Sequence, residues 1–145
     1  MVATVLIIEV EGALRENLAR RLPLEGLGIL DVGGTHDLER LPDSSPIDVI
    51  LLGLGGLGEK GLSLLKIARN RWPLVPVILL NSPGRLNLSI AAMKLGAFDE
   101  LLIPFDMATL SKRIDQARVW KNKQTRTVAA TQSEHDGGRN RLQGE

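Results

Sequence analysis

The chain of 145 residues is long enough for one domain with a hydrophobic core, and with 43% hydrophobic but only 3% aromatic residues that core should be aliphatic. The absence of cysteine excludes disulfides and thiolate metal sites and is compatible with a reducing cytoplasm. The formal net charge of +1 hides a basic excess after position 117, where 6 Lys/Arg stand against 3 Asp/Glu. Because these charges are scattered among polar residues, they indicate a solvated terminus and do not favour nucleic acid as a partner.

Five short apolar runs predict the strands of one sheet. They are TVLIIE at 4–9, GILDV at 28–32, IDVILL at 47–52, VPVILL at 75–80 and ELLI at 100–103. Their almost continuous apolarity is typical of parallel strands that are covered on both faces. The first run stops at Glu9, which is too early for a membrane span, and it lacks the basic lead of a signal peptide, so no membrane contact is expected.

Segments with helical spacing separate these runs. The first carries leucines at every fourth position: Leu14, Leu18 and Leu22. Pro23 should end this helix near Leu22, because proline lacks a backbone donor and crowds the preceding turn. Thr35 and Asp106 precede later helical segments, and each is predicted to cap one with its side-chain oxygen.

Strand and helix alternate five times, which predicts an α/β fold with a parallel sheet and right-handed crossovers. Residues 1–121 form the predicted domain. Residues 122–145 form a polar, basic tail, and from 125 onward it has no period and is predicted to be disordered. In such a sheet, ligands bind at the carboxyl ends of the strands, so the site to inspect contains Glu9, Val10, Gly53, Asn81 and Ile103.

One candidate site is a phosphate cradle in the loop Gly53–Gly58, which matches G-x-G-x-x-G after a strand and before a helix. Its bare amides and the following helix would hold a pyrophosphate. Against this, no acidic residue for the ribose occurs between Glu59 and Asp99, helical spacing begins only near Gly61, and the motif follows the third strand. Arg85, shortly after the fourth strand, would instead contact the 2′-phosphate of an NADP-type ligand.

Four stretches of the chain resemble one protein family. They are VLIIEVEGALRENLARRL, DVILLGL with the glycines after it, WPLVPVILLNS, and AAMKLGAFDELLIPFDMATLSKRI. Through them, residues 3–118 resemble the receiver domain of two-component response regulators, and the last stretch is similar to receivers of nitrogen-regulatory-type activators. The resemblance implies a doubly wound, CheY-like (βα)5 fold, of the flavodoxin type, with strand order 2-1-3-4-5.

In that family an acidic pair after the first strand and an aspartate ending the third bind Mg²⁺, and this aspartate accepts a phosphoryl group from a histidine kinase. A Thr or Ser ending the fourth strand and a Lys ending the fifth contact the phosphoryl oxygens. Metal and lysine neutralise the charge that is dispersed over the transferring group. The matching positions here are Glu9 and Val10, Gly53, Asn81 and Ile103, a degenerate receiver pocket.

This match of positions implies that the chain has no phosphoacceptor, because Gly53 has no carboxylate. Mg²⁺ binding is also expected to be lost, because only one acidic ligand, Glu9, remains. Asp48 and Asp99 cannot replace the nucleophile, since both lie at the amino ends of their strands. The family's aromatic switch residue corresponds to Glu100, whose charge is costly to bury. Since the family commonly has a cis peptide there, the bond before Pro104 is expected to be cis.

The leading hypothesis is therefore a non-catalytic, receiver-like module of bacterial signalling that has no cofactor and binds a protein partner or a second copy of itself. In intact receivers the fourth helix, fifth strand and fifth helix form the face used for dimerisation and output. Its charged residues here are Lys94, Asp99, Glu100, Lys112, Arg113 and Arg118. Such mixed signs suit a two-fold contact, although an ordinary solvated surface has the same composition.

Several alternatives stay open. One is a binding site for a nucleotide or small ligand on the Gly53–Gly58 loop, and another is a conventional phosphorelay receiver, which similarity alone would suggest. The five pocket substitutions are equally compatible with drift and with selection for one locked state. Trp120, near the end of the last helix, either anchors an interface or packs back onto the domain.

Overall fold

The computed structural model describes residues 2–143, with side chains described through residue 131. The elements, in chain order, are β1 (Thr4–Ile8), α1 (Gly12–Arg21), a 3-10 turn (Leu22–Glu25), β2 (Gly28–Val32), α2 (Thr35–Arg40), β3 (Val49–Gly53), α3 (Glu59–Arg71), β4 (Val77–Asn81), α4 (Leu86–Lys94), β5 (Asp99–Leu102) and α5 (Met107–Gln143). All five predicted strands are confirmed, with ends that differ by at most two residues.

The five strands form one parallel sheet in the order β2-β1-β3-β4-β5, as predicted. The strand order reverses next to β1, which places a topological switch point between β1 and β3. In a doubly wound sheet, loops diverge at this point and leave a crevice beyond the carboxyl ends of the strands. The topology therefore selects the ends of β1 and β3 as the place to look for a site.

The core has two layers, one on each face of the sheet. Alternate residues of each strand point to opposite faces, so Ile50 and Leu52 pack with α2, α3 and α4, whereas Val49 and Leu51 pack with α1 and α5. Every residue of β3 and β4 is buried. This double covering is the reason that the strands read as continuous apolar runs.

The helix ends partly agree with the sequence. α1 ends at Arg21, two residues before Pro23, as expected. Asp106 caps α5, because its Oδ1 accepts a hydrogen bond from the Thr109 N–H at 2.7 Å. The prediction for Thr35 is wrong: it is the first residue of α2, Gly34 holds the capping position, and no side-chain cap forms there among the described residues.

The predicted tail also differs from the structure, because α5 continues as helix through Gln143 where disorder was expected from residue 125. A helix satisfies its own backbone hydrogen bonds, and no proline interrupts residues 125–143, so the backbone can stay helical there. The side chains described from residue 125 to 131 are exposed. Residues 144–145 lie outside the described part, and the division at residue 121 stays a prediction.

Two contacts hold α5 to the domain near the predicted boundary. Trp120 packs on Phe98 with ring centroids 5.5 Å apart, which favours the second of its two predicted roles. Lys121 Nζ lies 2.9 Å from Asp48 Oδ1 at the amino end of β3. Within the described part of the chain, no helix has the length and apolarity that crossing a membrane requires.

Candidate functional site

The predicted pocket residues meet at the carboxyl edge of the sheet. Glu9 directly follows β1, Gly53 ends β3, and Asn81 ends β4. Backbone pairing continues one residue past the strands, since Ile103 N–H donates to the Asn81 carbonyl at 2.8 Å. Two of the predicted pocket residues point away from the others. Ile103 packs with the core layer of α1 and α5, and Val10 is 40% exposed.

The side chain of Glu9 lies where a side chain of residue 53 would begin. Glu9 is only 3% exposed. A Cβ atom built on Gly53 would overlap Glu9 Oε2 and would lie 2.5 Å from its Cδ and 3.0 Å from its Oε1. Since Cβ contacts below 3.0 Å essentially never occur, position 53 accepts a side chain only if the Glu9 carboxyl group moves. The register of β1 beside β3 creates this proximity.

The Glu9 carboxyl group is buried with little to stabilise its charge. Its Oε2 is fully buried and has no hydrogen-bond partner among the described residues. Burial raises the pKa of Glu9, and the nearby Glu11 raises it further, against a smaller lowering by a backbone hydrogen bond and by Arg15. The Arg15 guanidinium is directed elsewhere: Nη1 donates to the Glu9 carbonyl at 2.8 Å, and Nε lies 3.8 Å from Asp31. The neutral acid is therefore favoured here more than for an ordinary glutamate.

Asn81 is fully buried and its amide is used within the structure. Nδ2 donates to Ser89 Oγ at 2.9 Å, and Oδ1 accepts the Ser82 N–H at 2.9 Å. These bonds join the end of β4 to α4. The amide thus holds the β4–α4 connection in place, and both of its ends are occupied.

The glycine loop after β3 is filled by the protein's own side chains. Built Cβ atoms would lie 2.9 Å from Ser82 Oγ at Gly55 and 2.7 Å from Val10 Cγ2 at Gly56. Gly58 has φ +59°, a left-handed conformation that side chains rarely adopt, and α3 then begins at Glu59. An acidic residue in the first turn repels a phosphate at a helix N-terminus. The geometry does not favour the cradle that the G-x-G-x-x-G match suggests.

The fifth strand carries the remaining predicted positions. The Ile103–Pro104 peptide bond is cis, which confirms what the resemblance implies. Glu100 is half-buried, and its Oε2 is buried with no hydrogen-bond partner in the described part of the chain. Asp99 Oδ2 lies 2.6 Å from Arg113 Nη1, so two of the predicted face residues pair with each other.

The other aspartate considered as a nucleophile has a structural role at the opposite edge. Asp48 precedes β3, and its Oδ2 accepts the Thr4 N–H at 2.8 Å. Burial alone would raise the pKa of Asp48, but the hydrogen bonds from Thr4 and Lys121 outweigh it and lower the pKa. Asp48 is thus a charged anchor that ties the amino ends of β1 and β3 to α5.

Sequence reasoning missed three residues that shape the crevice: Arg15, Ser82 and Ser89. Arg15 and Ser89 lie on helices one turn or more beyond the strand ends, and their partners are Glu9 and Asn81. No local pattern marks them, because their roles depend on which helix face is turned toward the crevice. The available signal was Asn81 at the end of a buried strand, because a buried side-chain amide requires hydrogen-bond partners nearby, here Ser82 and Ser89.

A doubly wound five-stranded sheet with this set of residues at its switch point has the architecture of a receiver domain. The model of the response regulator receiver domain family matches residues 5–115, and the chain belongs to that family. It is 29% identical over 104 residues to "Putative response regulator NtrX-like" of Rickettsia felis, covering 70% of this chain and 22% of that protein. It is 33% identical over 112 residues to "DNA-binding transcriptional regulator NtrC" of Klebsiella pneumoniae, covering 77% and 24%.

Among solved structures, a response regulator receiver domain protein from Clostridium thermocellum superimposes with a TM-score of 0.76 at 28% identity, covering 83% of this chain and 98% of that one. The chain therefore matches nearly all of an independent receiver domain. It spans less than a quarter of the curated relatives described above. The protein is a receiver domain of a response regulator in two-component signalling, and such domains are signalling modules that are generally not enzymes.

Proposed function

We propose that this receiver domain signals without phosphorylation of its acceptor position and acts by binding a protein through the face formed by α4, β5 and α5. The observation that carries the proposal is the relation of Gly53 to Glu9. The acceptor position has no side chain, and the carboxyl group of Glu9 fills the volume in which one would begin. An acyl phosphate on residue 53 requires both a carboxylate and space around it.

The remaining acidic residues do not replace the acceptor. Glu9 is buried. Asp48 and Asp99 lie at the amino ends of their strands, at the edge of the sheet opposite the crevice. A phosphoryl donor that approached the crevice would meet the exposed Val10 and the filled glycine loop. Phosphoryl transfer depends on positioned charge. The positions that correspond to the family's aspartate, hydroxyl and lysine here hold Gly53, Asn81 and Ile103.

The residues present do not fit a magnesium ion either. Mg²⁺ prefers near-octahedral oxygen coordination and usually uses one or two carboxylates. The crevice offers one buried carboxyl group, that of Glu9, which is turned toward Gly53 and whose pKa is raised by burial. Val10 contributes methyl groups at the second acidic position. The proposed module therefore has no metal cofactor.

The proposed binding face combines exposed apolar side chains with charges of both signs. Ile90 and Met93 on α4 are each 46% exposed, and Leu102 on β5 is 49% exposed. The charged residues of the face are Lys94, Asp99, Glu100, Lys112, Arg113 and Arg118. An apolar centre with a charged rim is typical of protein interfaces, and mixed signs allow a self-complementary contact about a two-fold axis. A second copy of the chain is the first partner to test.

The phosphorylation-independent state is tested by heating the protein with and without Mg²⁺ plus beryllofluoride, an analogue of the acceptor-bound phosphoryl group. We expect no change in the unfolding midpoint, because a ligand that binds the native state would raise it. A conventional receiver with its acceptor aspartate, measured in parallel, provides the positive control. A raised midpoint for this protein would contradict the proposal and restore the phosphorelay alternative.

The binding face is tested by Ile90→Glu, with size-exclusion chromatography and light scattering over a range of protein concentrations. We expect the wild type to associate as concentration rises and the variant to stay monomeric, because a charge in an apolar interface centre must be desolvated. Leu24→Glu is the matched control, since Leu24 is also exposed but lies on the turn after α1. A wild type that is monomeric throughout, or equal effects of the two variants, would contradict homodimerisation through this face.

A further inference from the structure

We infer that Glu9 is an intramolecular occupant of the former acceptor position, and that removing its carboxyl group opens a cavity that takes up a small carboxylic acid. By occupant we mean that the Glu9 side chain fills the space in which the acceptor side chain of other receiver domains would lie. The inference rests on the same relation of Glu9 to Gly53 as the proposed lack of phosphorylation, but not on the face formed by α4, β5 and α5. Because association through that face is measured separately, failure of the inference is distinguishable from failure of the proposed binding function.

Among the described glycines, a Cβ built on Gly53 would make the closest contact, and its three nearest atoms all belong to Glu9. All three terminal atoms of Glu9 (Cδ, Oε1 and Oε2) lie within 3.0 Å of a Cβ built on Gly53. At Gly12, by contrast, a built Cβ would meet no described atom within 4 Å. Gly53 is also buried and ends a fully buried strand, so this volume is enclosed by the protein. In this conformation the Glu9 carboxyl group thus occupies the space in which a side chain at position 53 would begin.

Truncation of Glu9 at Cβ removes a group with the composition of acetic acid. The surrounding structure would then retain the shape of a carboxyl group and its connecting carbon, next to the backbone of Gly53. Cores relax only partly after such truncations, and the remaining cavity binds molecules that match its shape. Acetate, with its conjugate acid, is therefore the ligand that matches both the volume and the chemistry of the deleted group.

The charged groups near this volume favour an acid over a base. Arg15 on α1 and Glu11 in the β1–α1 loop act on the Glu9 carboxyl group, and Arg15 also pairs with Asp31 on β2. From β3 and β4 the crevice receives Gly53 and Asn81, which do not titrate. Burial penalises any full charge, so the neutral acid enters more readily than the anion or a small ammonium ion.

The experiment compares Glu9→Ala with wild type by thermal unfolding at mildly acidic pH, in acetate and in chloride at matched ionic strength. We expect acetate to raise the midpoint of Glu9→Ala by about 2–4 °C relative to chloride and to leave wild type unchanged. Glu16→Ala, which removes an exposed glutamate from α1, is the matched control and should behave as wild type. Methylammonium at the same concentration should have no specific effect on any of the three proteins.

The outcomes separate cleanly. Equal acetate effects in all three proteins would reveal a general salt effect and overturn the inference, as would a folded Glu9→Ala that does not respond. If Glu9→Ala does not fold, Gly53→Ala tests the same volume, because its methyl group overlaps Glu9 Oε2. It should unfold at a lower temperature than wild type, whereas Gly12→Ala should not, and equal midpoints for the two alanine variants would overturn the occupancy of this space.

Discussion

Gly53→Asp is expected to destabilise the domain by about 1–3 kcal/mol and to leave it without a usable phosphoacceptor. The new side chain overlaps the Glu9 carboxyl group from its Cβ onward, so one of the two must be displaced. Overpacking of a core costs about 1–3 kcal/mol, and an unpaired buried charge adds to this. Two carboxyl groups in one enclosed volume also repel each other when both ionise. Restoring the family's residue at one position therefore does not restore the family's site.

The same prediction has a sharper form as a double-mutant cycle measured by urea denaturation. Gly53→Asp should cost less in the Glu9→Ala background than in wild type, with a coupling of about 1–3 kcal/mol, because the alanine vacates the shared volume. Gly12→Asp in both backgrounds is the control, since no described atom lies near a Cβ at that position. Additive effects at Gly53 and Glu9 would show that the two residues do not compete for space.

The second large effect concerns pH. Glu9→Gln should gain stability relative to wild type as pH rises, because wild type must bury an increasingly ionised acid whereas glutamine does not titrate. Burial raises the folded-state pKa of Glu9 above its usual value of 4.5. A group of this kind contributes stability that is fully present below the unfolded pKa and is lost as pH rises through the folded pKa. The wild-type disadvantage should therefore appear above pH 4.5, grow until the pH passes the folded-state pKa of Glu9, and then stay constant.

The measurement is the free energy of unfolding of both proteins in urea, from about pH 4.5 to about pH 8. The difference between the two proteins isolates Glu9, because every other titrating group is shared. Glu16→Gln serves as the control, since this exposed residue on α1 should give a difference that hardly changes with pH. A difference that stays flat for Glu9→Gln, or one that moves in the wild type's favour as pH rises, would contradict the buried position of the carboxyl group.

These results would bear on the pocket substitutions as a set. If the cycle shows strong coupling, the glutamate and the glycine are mutually adapted, and the pocket is more than a collection of independent losses. The buried amide of Asn81, bonded to Ser82 and Ser89, fits the same view, because it stabilises the β4–α4 connection without a ligand. A crevice organised by its own side chains suits a domain that is used for its surface.

Local patterns were sufficient for the strands, the parallel sheet and the approximate site. Apolar runs bounded by Gly, Pro and Asp mark the strands, and their burial on both faces requires helices on each side. Pro23 acts through its backbone and Asp106 through its side chain, each within one helical turn, so both effects can be predicted from the sequence. The strand order and the matching of pocket positions came from the resemblance, which extends over nearly the whole domain.

Contacts between residues distant in the chain could not be read in this way. Glu9 and Gly53 are 44 positions apart, and their competition for one volume follows from the packing of β1 beside β3. The continuation of α5 past residue 125 is not predicted from sequence either, because that segment has no apolar periodicity to mark it as a helix. Spacing along a chain reports which face of an element is buried, whereas side-chain rotamers and cross-strand distances exist only once the elements have packed. For this receiver domain, the glycine at position 53 is therefore a fact of composition, and the place of the Glu9 carboxyl group beside it is a fact of packing.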